Sequence, residues 1–148
     1  MDWAQAFSLS NTLALLGWLI LILGPRRMPW LTRAGPAMGS PLLLSVSYAA
    51  LAVPGFFMSE GGGYGTLDQV RALLGADRML VAGWQHYLAF DLLVGAWCAQ
   101  RLDGLSVSRL IQAPILLAVF MFGPAGFLLS VVTAALVARL RPTEATAR

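Results

Sequence analysis

Apolar residues run in four long blocks, Phe7 to Leu23, Pro41 to Met58, Met79 to Ala99 and Pro114 to Val137, separated by segments rich in glycine, proline and charge. Each block, with its ends allowed to blur by a few residues, can cross about 30 Å of hydrocarbon as a helix. The pattern predicts an all-α polytopic membrane protein in which residues 1–148 form a single membrane domain, a bundle of four transmembrane helices. The first block carries Asp2 where a signal peptide has basic residues, and Gly24-Pro25-Arg26-Arg27 where it has a cleavage site. It is therefore expected to be a retained span.

Two connections have a character of their own. Pro25, Pro29 and Pro36, with Gly24, Gly35 and Gly39, predict an irregular loop over 24–40, with Trp30 as a headgroup-level anchor. Between the second and third blocks, Thr66-Leu67-Asp68-Gln69 reads as a capping box, and Leu67, Val70, Leu73 and Leu74 recur at helical spacing before Gly75. A short amphipathic helix over 66–75, lying in the membrane interface, is expected. The run Gly61-Gly62-Gly63-Tyr64-Gly65 before it lacks the Gly-Lys-Ser/Thr of a phosphate loop and reads as a joint.

Composition narrows the function. The chain is 58% hydrophobic and 11% charged, with a mean hydropathy of +0.72. Four spans use up 148 residues and leave no room for a separate soluble catalytic domain. All ten basic residues are arginines at the ends of apolar runs, with no contiguous basic face, so nucleic acid is not an expected partner. The bilayer is the expected surrounding, and a homo-oligomer or a partner membrane protein is compatible with it. Cys98 is the only cysteine, and one histidine with one intramembrane acid is too small a set for a metal site. Neither a metal nor another cofactor is expected. With four crossings, Arg26, Arg27, Arg33, Arg101 and Arg109 fall on one side and Arg71, Arg78, Arg139, Arg141 and Arg148 on the other. That tie leaves the orientation open.

The third block carries the polar chemistry. Of the ten arginines and seven acids, all but Asp91 fit in connections or at span ends. Asp91 lies about 18 Å into its span, where a bare carboxylate costs about 2.5 to 3.5 kcal/mol to insert. A helical wheel gathers His86, Asp91, Trp84, Tyr87, Phe90, Trp97, Gly83, Val94 and Cys98 on one arc, expected to face the bundle interior. Leu88, Leu92, Leu93, Ala89 and Ala96 form the arc expected to face lipid. His86 is about 140° from Asp91 on the wheel, so the two are not a simple pair one turn apart, but they can flank one cavity at different depths. Two readings stay open: a functional cavity, or satisfied polar groups tying helices together with Asn11 and Tyr48 as partners. The aromatics likewise suit either a ring-ended lipid or plain packing. In the fourth block, Gly123-Pro124-Ala125-Gly126 predicts a kink that frees the Phe120 carbonyl near the depth of Asp91, and Gly126 with Ser130 offers a close helix approach.

The block Trp84-Gln85-His86-Tyr87-Leu88-Ala89-Phe90-Asp91-Leu92, with Gly95, Asp103, Pro114, Gly123-Pro124-Ala125-Gly126 and the opening Phe7-Ser8, Trp18 and Gly24-Pro25, resembles the abscisic-acid-deficient-four-like family of small integral membrane proteins. That family is named for a plant member required for neoxanthin formation. The resemblance implies four helices, a hydrophobic carotenoid-like or related isoprenoid ligand, and a shared catalytic role for His86 and Asp91. Trp84, Tyr87, Phe90, Trp97 and Pro124 are then the expected substrate-binding residues. The plant reaction it implies is an isomerisation, in which an epoxide opens as a proton leaves the adjacent chain, so that an acid at oxygen and a base at carbon are needed. The arginine-only chain starts at its first span without a transit peptide, which points to a bacterial cytoplasmic (inner) membrane. A pigment- or lipid-binding protein without chemistry, supporting another enzyme or a photosystem, is the alternative.

Overall fold

A computed structural model describes residues 2–24 and 39–140. Among the described residues the chain is all-helical and has no strand. It comprises α1 (Trp3–Leu23), α2 (Ser40–Met58), α3 (Leu67–Leu74), α4 (Asp77–Gly104), α5 (Arg109–Phe122) and α6 (Pro124–Leu140). By length and composition α1 and α2 are long and apolar enough to cross a bilayer. The expected 24–40 loop with its Trp30 anchor lies outside the described residues apart from its ends.

Local chemistry sets the starts of the helices. Asp2 Oδ1 accepts the backbone N–H groups of Ala4 (3.0 Å) and Gln5 (3.3 Å), capping α1. The Thr66 hydroxyl accepts from Gln69 N at 3.2 Å and starts α3 within the expected 66–75 segment. Leu73 is the only buried residue of α3 and packs with Leu51, Ala52, Met79 and Ala82.

The 28-residue α4 is the axis of the fold. Helix α1 runs parallel to it: Asn11 meets Trp84 near one end and Trp18 covers Gly95 farther along. Helix α2 runs antiparallel, with Leu44 in the cluster that holds Leu88, Tyr48 against His86, and the Leu51 carbonyl accepting from Arg78 Nε at 3.1 Å.

The fourth expected span departs from its prediction. Residues 114–137 do not form one kinked helix; α5 and α6 are separate helices and the chain reverses between them. Gly123 has φ +38°, in the region that L side chains disfavour, and Pro124 begins α6. Gly126 then lies directly on the α5 backbone at Ala118 and Val119, where a Cβ would overlap it. The close approach expected from Gly126 and Ser130 therefore serves α5 and α4: Ser130 is fully buried and lies against Cys98. The arms return to a common level, since Ile115 of α5 and Ala134 of α6 share a cluster with Leu102 near the end of α4. Arg139 consequently lies at the same end of the fold as Arg101 and Arg109, with Arg71 and Arg78 at the other. The five-against-five tie assumed that residues 114–137 form one crossing helix, whereas α5 and α6 are two shorter helices that return to one end. Arg26, Arg27, Arg33, Arg141 and Arg148, also counted in it, lie outside the described residues.

The faces of α4 depart from expectation in part: Cys98 is buried and Leu93 is exposed, as the wheel placed them, but other members of both arcs are exchanged. Leu88, Ala89, Leu92 and Ala96, assigned to lipid by the wheel, are buried, whereas Trp84, Phe90 and Trp97 are 37%, 55% and 45% exposed. In lipid, helices associate through small residues that let backbones come close, and bulky aromatics gain nothing by turning inward. Gly95 shows the effect, because the Trp18 ring occupies the space its Cβ would need.

The reversal is open to a direct check. Single cysteines introduced at Ser108 and at Leu140, in a Cys98→Ala background, are expected to react with a membrane-impermeant maleimide from the same side of a vesicle. Labelling from opposite sides would restore the single kinked span.

Candidate functional site

Halfway along α4, fourteen residues after its first residue, Asp91 sits where the α5–α6 hairpin tip meets the axis. A Cβ on Gly123 would lie 2.8 Å from Asp91 Oδ1, so only glycine lets the tip come this close to the carboxyl. Gly123 itself is buried. One helical turn before Asp91, Tyr87 is within interacting reach of the carboxyl. Asp91 Oδ2 is buried and finds no hydrogen-bond donor among the described residues.

That carboxyl opens onto a cavity of about 330 Å³ between α1, α4 and α5. Its polar lining is Asn11, Trp18, Trp84, Tyr87 and Asp91, and the rest is apolar, including Ala14, Leu88, Phe120 and Met121. Two side-chain bonds position the α1 wall. Trp84 Nε1 donates to Asn11 Oδ1 at 2.7 Å, and Gln85 Nε2 donates to Ser10 Oγ at 2.9 Å in the buried seam alongside. Phe7 packs on Trp84 with ring centroids 5.5 Å apart, and Phe120 of α5 packs on Trp18 at the same distance.

The structure divides the residues singled out by sequence. Asp91, Trp84 and Tyr87 come together around this cavity. His86 does not join them: it lines a different cavity of about 260 Å³ on the α2–α3 side, with Tyr48, Tyr64, Leu73 and Met79. There it stacks on Phe90, with centroids 4.5 Å apart, and tilts against Tyr48 at 5.3 Å. The idea that His86 and Asp91 flank one cavity is thus not how the helix is turned, because 140° of rotation separates them across the packed face of α4. Phe90 goes with His86. Trp97 lies farther along, against Phe127 and beneath the Arg101 guanidinium, 5.4 Å from the ring. Pro124 is exposed at the hairpin tip, and its neighbour Gly123 makes the approach to Asp91.

Two polar cavity residues went unassigned in the sequence. Asn11 was named as a partner and Trp18 as part of a resemblance, but neither as part of a site. Trp18 carried a readable signal: an aromatic residue with a donor N–H in the middle of an apolar block needs an acceptor or a ligand.

Asp91 Oδ2 makes no structural tie, and Tyr87, which engages the carboxyl, stands on the same helix. A buried group without a donor costs about 1 to 3 kcal/mol, so replacing it by an apolar side chain of similar size should not weaken the fold. Asp91→Leu is expected to leave the thermal midpoint of the purified protein unchanged or raise it. A drop of more than about 2 kcal/mol in unfolding free energy would instead identify Asp91 as a helix-linking group.

Compared with known proteins, residues 5–129 match the family model described as ABA4-like: ABA DEFICIENT 4-like. No curated protein and no solved structure matches the chain.

Proposed function

Because the chain belongs to the ABA4-like family, whose membership suggests a carotenoid-related membrane protein, we propose that it is a multi-pass protein of the bacterial cytoplasmic membrane that binds a carotenoid-like or related isoprenoid lipid and isomerises or otherwise modifies it. One observation supports the reading above the others. A carboxyl with an unpartnered oxygen lies halfway along the longest helix, in a cavity that is apolar and aromatic apart from Asn11. Functional sites are where such uncompensated polar groups persist, since the fold gains nothing from them.

In this reading α1, α2 and α4 cross the bilayer, and α5–α6 enters from the α4 C-terminal end and returns to it, with its tip on Asp91. The arginines of that end, Arg101, Arg109 and Arg139 against Arg71 and Arg78, orient it toward the cytoplasm. Asp91 exchanges the proton that an isomerisation must move, and Tyr87 supports the carboxyl from one turn away. Trp84, Phe120 and Trp18 offer faces for an unsaturated chain. His86 has no place in this chemistry, being on the other side of α4.

The separation of His86 from Asp91 also favours the second reading, a pigment- or lipid-binding protein without chemistry, because it removes one of two expected proton-transfer groups from the cavity. Expression of the full chain in a carotenoid-producing bacterial host, followed by pigment chromatography, separates the two. The expected result is a product absent from the host alone. General acid–base groups contribute about 10²- to 10⁴-fold, so Asp91→Asn should reduce product at least about 100-fold at equal protein level. His86→Ala should change it less than about threefold. Product formation indifferent to Asp91→Asn overturns the assignment of Asp91. Pigment that co-purifies unchanged overturns the enzyme reading in favour of the binding one.

A further inference from the structure

Trp18 is 2% exposed, yet its indole Nε1 has no hydrogen-bond acceptor. Asp91 Oδ2 is buried without a donor, and both residues line the same cavity. A buried donor and a buried acceptor left unpaired beside one space each carry a desolvation cost, and a bound group that served both would recover it. The chemistry of that group is restricted. A bare polyene serves neither atom. A ketone or epoxide oxygen only accepts, so it serves Trp18 and reaches Asp91 only when the carboxyl is protonated, while an ammonium only donates. A hydroxyl does both, donating its hydrogen and accepting through its lone pairs.

The surroundings say what the hydroxyl is attached to. Beyond its polar residues the cavity is lined by aliphatic and aromatic side chains. A second cavity of about 460 Å³, between Trp3, Phe7, Asp77, Leu80, Val81 and Trp84, lies toward the α4 N-terminus, and Trp84 lines both. The Trp84 ring, bonded to Asn11 and packed on Phe7, is the partition between them. From Asp77 to Asp91 the two cavities together mark out an α1–α4 groove of about 21 Å at 1.5 Å per residue, interrupted at Trp84.

We propose that this groove binds an elongated apolar lipid by a terminal hydroxyl, with Trp18 Nε1 donating to the hydroxyl oxygen and Asp91 Oδ2 accepting its hydrogen, while the hydrocarbon runs past Trp84 toward the α4 N-terminus. The inference rests on the isoprenoid-binding reading above and adds the end group and the direction of the chain. Trp18 is a binding residue in it, not a catalytic one.

Zeaxanthin and β-carotene share a carbon skeleton and differ in their terminal hydroxyls, which makes them the probes. The full-length protein in lipid nanodiscs is offered an equimolar mixture, and the bound pigment is extracted and resolved by chromatography. Two recovered hydrogen bonds predict at least about a tenfold preference of the unmodified protein for zeaxanthin. Trp18→Phe, which keeps an aromatic ring and deletes the N–H, should reduce the preference to about threefold or less. Equal retention of both pigments by the unmodified protein overturns the hydroxyl seat and leaves isoprenoid binding standing, and this comparison needs no variant to fold. An undiminished preference in a Trp18→Phe protein that elutes and melts like the unmodified one removes Trp18 from the seat. Retention of neither pigment overturns the isoprenoid-binding reading itself.

Discussion

Backbone that leaves a helix at the middle of a bilayer has no water to satisfy it, and it survives there only where protein covers it or a polar cavity receives it. The turn at Gly123 lies against the midpoint of α4, and in the proposed membrane placement it meets that constraint there. Gly123 supplies a positive φ, Pro124 opens α6 at a position where its missing N–H costs nothing, and Gly126 lets α6 lie on the α5 backbone. The arms, of 14 and 17 residues, lie side by side and return to one end of α4, where Ile115 and Ala134 share a cluster with Leu102. The depth of the turn fixes where a polar side chain can be tolerated, and Asp91 occupies that level.

The packing of α1 and α2 against α4 follows from a second property of lipid. Hydrocarbon tails are as apolar as leucine, so helices gain little by hiding large apolar side chains and more by bringing backbones close. Gly95 under Trp18, Gly17 against Leu92 and the alanines 82, 89, 96 and 99 make the seam, while Phe90 and Trp97 remain on the outside. The Ser10–Gln85 and Asn11–Trp84 bonds fix the register of α1 on α4. Because that register brings Trp18 to the level of Asp91, the helix–helix seam and the candidate site are two consequences of the same contact.

Several parts of the site were legible in the residues. Asp91 stood out because it alone among the charged residues could not be placed outside an apolar block, and Trp84 and Tyr87 shared its arc. Other parts were not legible. A wheel drawn on α4 places His86 and Asp91 on one arc, but a wide arc on a helix with neighbours on two sides opens onto two cavities. Trp18 was legible only as an indole N–H in need of an acceptor or a ligand, and nothing in an isolated apolar block says which of the two it finds.

What the sequence alone determined was what depends on local chemistry. The helical class, the short capped helix at 67–74, the break at Gly123-Pro124 and the single mid-helix acid all follow from periodicity, capping residues and composition. The tertiary structure decided three things: whether the break bends the chain or reverses it, which face of α4 is covered, and which polar groups share a cavity. The reason is physical. Glycine before proline permits both a kink and a hairpin, and the choice between them is made by what the two arms pack against. In an apolar surrounding the hydrophobic pattern that separates inside from outside in water carries no such contrast, so the covered face is settled by close contact between backbones, which no single helix contains.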